Sequence, residues 1–125
     1  MRQRARDQPR SHREDGAGTV LALGLVFVLL ALMSAVLLLV QVEVATQRAA
    51  TAADLAALAG ADAARGLTVG EPCEVAQSVV VRHQATMASC AVEGSDQDIV
   101  EVVAGVDLPQ PWGTARKRAR AGPPP

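Results

Sequence analysis

Two cysteines, the one histidine outside the N-terminal tail and one run of cations are the residues of this chain that could do chemistry. Cys73 and Cys90 are its only cysteines, and His83 stands between them. In an oxidising compartment two such thiols form a disulfide. The alternatives are two free thiols, or a metal held by Cys73, His83 and Cys90. The spacing matches no close-pair ligand pattern, and a fourth ligand is missing, so no metal site is expected. His83 as a general base would need a nucleophile and an orienting partner, and no Gly-x-Ser-x-Gly elbow is present. No glycine loop of the phosphate-cradling type occurs either. Catalytic residues, cofactors and a small-molecule substrate are therefore not expected, and the chain does not read as an enzyme. The run Arg116-Lys117-Arg118-Ala119-Arg120 could meet an anionic lipid or an envelope polyanion, with a solubilising tail as the plainer reading. Nucleic acid is not expected, because the only aromatics are Phe27 and Trp112, too few for a stacking platform.

What positions these groups starts with an uninterrupted apolar run, Val20 to Val40. It holds 21 residues without a charge, broken only by Gly24 and Ser34. As a helix it rises about 31 Å, close to the roughly 30 Å hydrocarbon core of a bilayer. A helix apolar on every face has no use in a small soluble domain. The run therefore predicts a single transmembrane helix over 20–40, in contact with membrane lipid. It exceeds the 7–15 apolar residues of a cleaved secretory signal, and no small-x-small cleavage site follows it convincingly.

Charge sets the expected orientation. Before the span lie Arg2, Arg4, Arg6, Arg10 and Arg13; within about 20 residues after it only Arg48 is basic. The N-terminus is then cytoplasmic and the remainder extracytoplasmic, in a single-pass plasma-membrane protein. Residues 41–108 carry three basic groups against ten acids, a net of -7. That outer location is the oxidising side, which favours the Cys73–Cys90 disulfide over free thiols. Geometry permits it: a helix from Cys73 to about Gln84 rises about 16 Å. A returning strand from about Thr86 brings Cys90 back about 13 Å.

The rest of the chain reads in segments. Residues 1–19 form a basic, disordered tail, with Gly16-Ala17-Gly18-Thr19 as a flexible hinge. After the span, residues 41–65 continue as an Ala-rich helix, which would make one helix of about 69 Å from Val20 to Arg65. Leu55 and Leu58 form its i,i+3 pair, with Ala52, Ala59 and Asp62 around them. This narrow stripe suits close packing against another helix, as does the small-xxx-small pair Ala31 and Ala35 beside Ser34 in the span. Gly66 stops the helix. Gly70-Glu71-Pro72 leads into a second helix over about Cys73–Gln84, with Val75, Val79 and Arg82/His83 at helical spacing. Ser89–Glu93 and Asp98–Leu108 read as a two-stranded hairpin around Gly94-Ser95-Asp96-Gln97, with Val100, Val102, Ala104, Val106 and Leu108 on one face. Residues 109–125 read as a disordered Pro/Arg tail. The fold class is an α+β membrane protein with a small helix-plus-hairpin head over 66–108. That head is too small for a stable core of its own and needs a staple, a partner, or the upper part of the long helix.

The entry Gly16-x-Gly18-Thr19-Val20, the span running into an Ala-rich helix, and the stretch Ala53-Asp54-Leu55-Ala56-Ala57-Leu58-Ala59-Gly60-Ala61 together resemble a known family. It is the N-terminal region of the TadE-like and TadG-like proteins of tight-adherence (Flp) pilus assembly. The two cysteines fit the small TadE-like form. The resemblance places Glu43 as the acidic residue closing the span and Ala53, Asp54, Ala57, Leu58 and Ala59 in the family motif. It implies a pilin-like or pseudopilin-like component working with a secretion ATPase and platform membrane proteins. Processing after Gly16 or Gly18 would put Leu21 or Leu23 at the fifth position, where prepilin-type sites carry Glu. Two readings of other classes stand beside this one. One is a membrane-anchored extracytoplasmic binding or regulatory module. The other is a small secreted domain stapled by a disulfide.

Overall fold

The computed structural model describes residues 12–124, with side chains from residue 16 onward. In chain order it has α1 (His12–Ala64), α2 (Pro72–Arg82), β1 (Thr86–Glu93), β2 (Ile99–Asp107) and β3 (Thr114–Ala121). The protein is an α+β chain, as expected. It forms two compact units, one ending at Leu38 and one starting at Leu39, so their boundary falls within α1.

The first unit is the apolar part of α1. Its large side chains, Val20 to Leu38, are 46–74% exposed. The helix is long and apolar enough to cross a membrane. Helical geometry satisfies every backbone polar group internally, which hydrocarbon demands. The Ser34 hydroxyl is satisfied too, donating to the Leu30 carbonyl at 2.8 Å. One correction concerns the approach to this run. Gly16–Thr19 are helical, not a hinge, and α1 already begins at His12. Each glycine costs about 1 kcal/mol relative to alanine in a helix. Once nucleated, though, a helix gains a hydrogen bond for each residue it adds. The part of the expected disordered tail before His12 lies outside the described residues.

The second unit is built on one face of α1. Ala45, Ala49, Ala52, Ala53, Ala56, Ala57 and Ala61 recur at helical spacing and are buried. Against them pack Ala76 and Val80 of α2, Val100, Val102, Ala104 and Val106 of β2, and Ala119 of β3. The largest fully buried side chains are three valines, Val80, Val100 and Val102. Burying a valine contributes about 1.5–3 kcal/mol, a single methyl about 0.8 kcal/mol. A core this poor in bulk relies on closeness of approach. Gly60 shows how close: a Cβ there would stand 3.0 Å from Val100 Cγ1, 3.1 Å from the Pro72 carbonyl oxygen and 3.4 Å from Ala76 Cβ.

Local signals end and start the elements much as their residues dictate. Gly66, at φ 75°, closes α1 in left-handed geometry, with Gly66 N donating to Ala63 O and Leu67 N to Asp62 O. Glu71 caps α2, its carboxylate accepting from Glu74 N at 3.1 Å, and Pro72 occupies the first turn. The helix ends at Arg82 rather than Gln84. Its buried pair is Ala76 and Val80, one residue on from the expected Val75 and Val79, because the small Ala76 side chain is what fits against Gly60.

The sheet has three antiparallel strands in the order β1-β2-β3. The alternation expected in β2 is present: Val100, Val102, Ala104 and Val106 point into the core. β1 starts at Thr86, the expected start of the strand returning toward Cys90 and three residues ahead of the Ser89 start of the hairpin reading, with an irregularity between Met87 and Ser89. The segment expected as a disordered tail supplies β3, paired along its length with β2 from Thr114↔Asp107 to Ala121↔Val100. Its inner face is Ala115, Lys117, Ala119 and Ala121, and its outer face carries Arg116, Arg118 and Arg120. Two of these cations have cross-strand partners, Arg118 with Glu101 at 3.6 Å and Arg120 with Glu93 at 3.0 Å. Edge position explains why a strand can be so polar: only one of its faces must be apolar, and here alanine suffices.

A Cys73–Cys90 disulfide ties α2 to β1, with the Cα atoms 5.9 Å apart and the two cysteines 17 positions apart in sequence. For a loop of that size the chain-entropy contribution is about 3 kcal/mol, as much as the best-buried valine gives. The double variant Cys73→Ser/Cys90→Ser should lose about that much stability, read by thermal unfolding of the detergent-solubilised protein. An unchanged midpoint would show that the staple does not constrain the unfolded chain. In the same assay Gly60→Leu should lose about 1–3 kcal/mol by overpacking. Gly24→Leu, where nothing lies within 4 Å, should leave the midpoint alone.

Candidate functional site

No pocket with convergent polar groups marks a reaction centre among the described residues. None of the buried residues is polar or charged. Among the described residues no group of three His, Cys, Asp or Glu is placed to hold a metal. His83 sits at the C-cap of α2, its N–H shared among carbonyls at the end of that helix. Both sulfurs are consumed in the disulfide, so neither is a thiolate for ligation or attack. The site to be weighed is therefore a surface, the faces of α1 that the head leaves uncovered.

The structure divides the expected packing residues. Ala52 is fully buried and Ala59 half-buried, whereas Leu55 is 42% and Leu58 56% exposed. The head takes the alanine face, and the two leucines fall on the other side of the helix. Val44, about half exposed, and the exposed Thr51 lie on that side at seven-residue steps from Leu58. Large apolar side chains at such spacing on a helix form a stripe that another helix can cover. In the apolar run, Ala31 and Ala35 are exposed, as is Ser34, whose hydroxyl is bonded within the helix.

The motif residues have separate surroundings. Ala53 and Ala57 are core, Leu58 and Asp54 are exposed, and Ala59 lies between. Glu43 is exposed and accepts a hydrogen bond from Gln47 Nε2 at 2.9 Å. Gly16 and Gly18 are exposed in α1, with nothing within 4 Å. Sequence reasoning missed the charged outer face of the sheet, because it placed Arg116, Arg118 and Arg120 in a tail. The signal was available: Ala115, Ala119 and Ala121 sit at even spacing, opposite in parity to the three arginines.

Comparison with known proteins bears on the helix alone. Residues 16–63 match the family model described as "Putative Flp pilus-assembly TadE/G-like". No curated protein and no solved structure matches the chain. The matched stretch holds the apolar run, the alanine face that the head covers and the leucines that it leaves bare. Residues 16–63 of this chain are thus similar to the TadE/G-like Flp pilus-assembly family.

Proposed function

We propose that this chain is a non-catalytic, single-pass membrane component of a Tad/Flp-type pilus or secretion assembly, pilin-like or pseudopilin-like in role. It acts by packing α1 against sister subunits or platform membrane proteins, in an assembly served by a secretion ATPase. Its N-terminus is cytoplasmic and its head extracytoplasmic. The family match supports the assembly, and the arginine bias before the span supports the orientation.

The observation that carries the packing role is the bare leucine pair. The head has already covered the alanine face of α1, yet Leu55 and Leu58 remain exposed. Burying the exposed half of two leucines against a neighbour would contribute about 1–3 kcal/mol in all. That is enough to bias an association which the membrane already confines. Ion pairs contribute little here: Asp62 and Arg65, at 2.9 Å, are both well exposed.

The test uses the full chain in its native membrane. Leu55→Asp/Leu58→Asp should abolish the crosslinked complexes formed by the parent protein while the variant remains in the membrane fraction. Unchanged complex size would overturn the packing role. The intact mass of the membrane-extracted protein separates this reading from a secreted domain. Retention of Val20–Val40 is expected, and a species found only in the medium without that run would overturn the membrane assembly.

A further inference from the structure

The β2–β3 turn, Leu108–Gly113, carries the chain's one tryptophan, and its place in the fold gives that residue a task. β2 runs along α1 with a definite polarity. Its first core residue, Val100, lies against Gly60, and Val106 lies against Ala45 and Ala49. The strand therefore descends toward the point where α1 leaves its apolar run. Beyond Val106, Leu108 and Pro109 line a depression together with Val40, Gln41, Val44 and Arg48. The turn is held in shape by Leu108 N donating to Gly113 O at 2.8 Å and Trp112 N to Pro109 O at 3.1 Å.

That level is where a bilayer would end. The apolar run stops at Val40, and Gln41 and Glu43 follow. From Val40 to Val44 an upright helix rises about 6 Å. The headgroup layer on each side of a bilayer is about 5–8 Å deep. Trp112, 61% exposed, is thus carried by a turn at the depth of the headgroups, together with the exposed Pro109 and Pro111. An indole is apolar in body and polar at its N–H, which is why tryptophan collects at membrane interfaces.

Charge follows the same polarity. Arg118 and Arg120, farther from this end of β3, are paired with Glu101 and Glu93. Arg116 and Lys117, nearer the turn, have no ion-pair partner among the described residues, nor does Arg48 on α1. Two acids stand nearby. Asp107 accepts from Thr114 Oγ1 at 3.0 Å, and Glu43 accepts from Gln47. Arg48 borders the turn at Leu108 and Pro109, and Arg116 lies with Asp107 and Thr114 at the same end of the sheet; cations left free there complement lipid phosphates.

We propose that the Leu108–Gly113 turn is a second membrane contact, in which Trp112 seats in the headgroup layer of the leaflet where α1 emerges, with Arg48 and Arg116 reaching lipid phosphates. Two anchors, the span and this turn, set the tilt of the second unit against the bilayer and so the direction in which its Leu55–Leu58 stripe faces. The proposal rests on Val20–Val40 being a span.

Trp112 is the sole tryptophan and the chain has no tyrosine, so its fluorescence reports on this turn alone. The full chain is reconstituted into phosphatidylcholine vesicles, with and without phosphatidylglycerol, and the vesicles are floated. Emission is read against aqueous acrylamide and against lipids brominated near the headgroup or deep in the acyl chain. The expected result is flotation with blue-shifted emission and most of the acrylamide quenching lost. Shallow bromolipids should quench several-fold more than deep ones. Arg48→Gln/Arg116→Gln should weaken the shallow quenching in the anionic vesicles. Flotation with a fully acrylamide-accessible Trp112 would overturn the proposal and leave the span intact. Shielding from acrylamide without bromolipid quenching would also overturn it, since protein then covers the indole. Failure to float would overturn the membrane span and this contact with it.

Discussion

Everything above the apolar run depends on how near the sheet can come to α1. The contact is made of the smallest side chains available: alanines along the helix, Gly60 at its upper end, and valines and alanines facing them. Such a surface buries little area per residue, so its stability comes from packing density rather than from hydrophobic bulk. One extra carbon at Gly60 would meet the Pro72 carbonyl oxygen at 3.1 Å, closer than an ordinary contact. The alanine richness of residues 45–61 is therefore more than helix propensity. It is the condition for a head of this size to dock at all.

This dependence answers the question of the head's independence. A segment of some 40–60 residues seldom builds a sufficient core alone. Here α1 supplies one wall and the disulfide ties α2 to β1. The third strand closes the other side of β2, so its hydrogen-bonding edges are paired on both flanks. The head and the upper part of α1 are one folding unit, and the unit begins at Leu39, at the end of the apolar run. A partner that bends or displaces α1 there would disturb the head's core as well.

A helix with one face committed to its own head is left with the opposite face for others. Leu55 and Leu58 are the large apolar residues on that face, and they lie inside the family-matched segment. The sheet's outer surface is of another kind. It is charged, cross-linked by exposed ion pairs, and apolar only in small patches such as Val103 and Ala91. Exposed pairs of this sort add at most about 1 kcal/mol each. Their effect is to keep a polar edge strand from pairing with other strands.

Much of this architecture was legible in the residues. An apolar run of bilayer length needs no tertiary context, because every side of the helix carries the same signal. The stop at Gly66, the Glu71–Pro72 start and the β2 alternation are equally local, each set by one backbone angle, one cap or one period. Which side of the Ala-rich helix would be covered was not legible. Alanine is nearly the same on every side of that helix, and the choice fell to the shape of the surface that came to meet it. Closeness of approach favoured the methyl-only face for the head and left Leu55 and Leu58 on the other side. β3 was hidden for a related reason. As an edge strand it carries arginines on one face and three alanines with Lys117 on the other, so it acquires its identity from β2 beside it. The sequence by itself determined the apolar run long enough to cross a membrane, the helices and the two cysteines available for a bridge. The tertiary structure decided which faces those elements spend on each other, since that depends on shape complementarity between segments far apart in the chain.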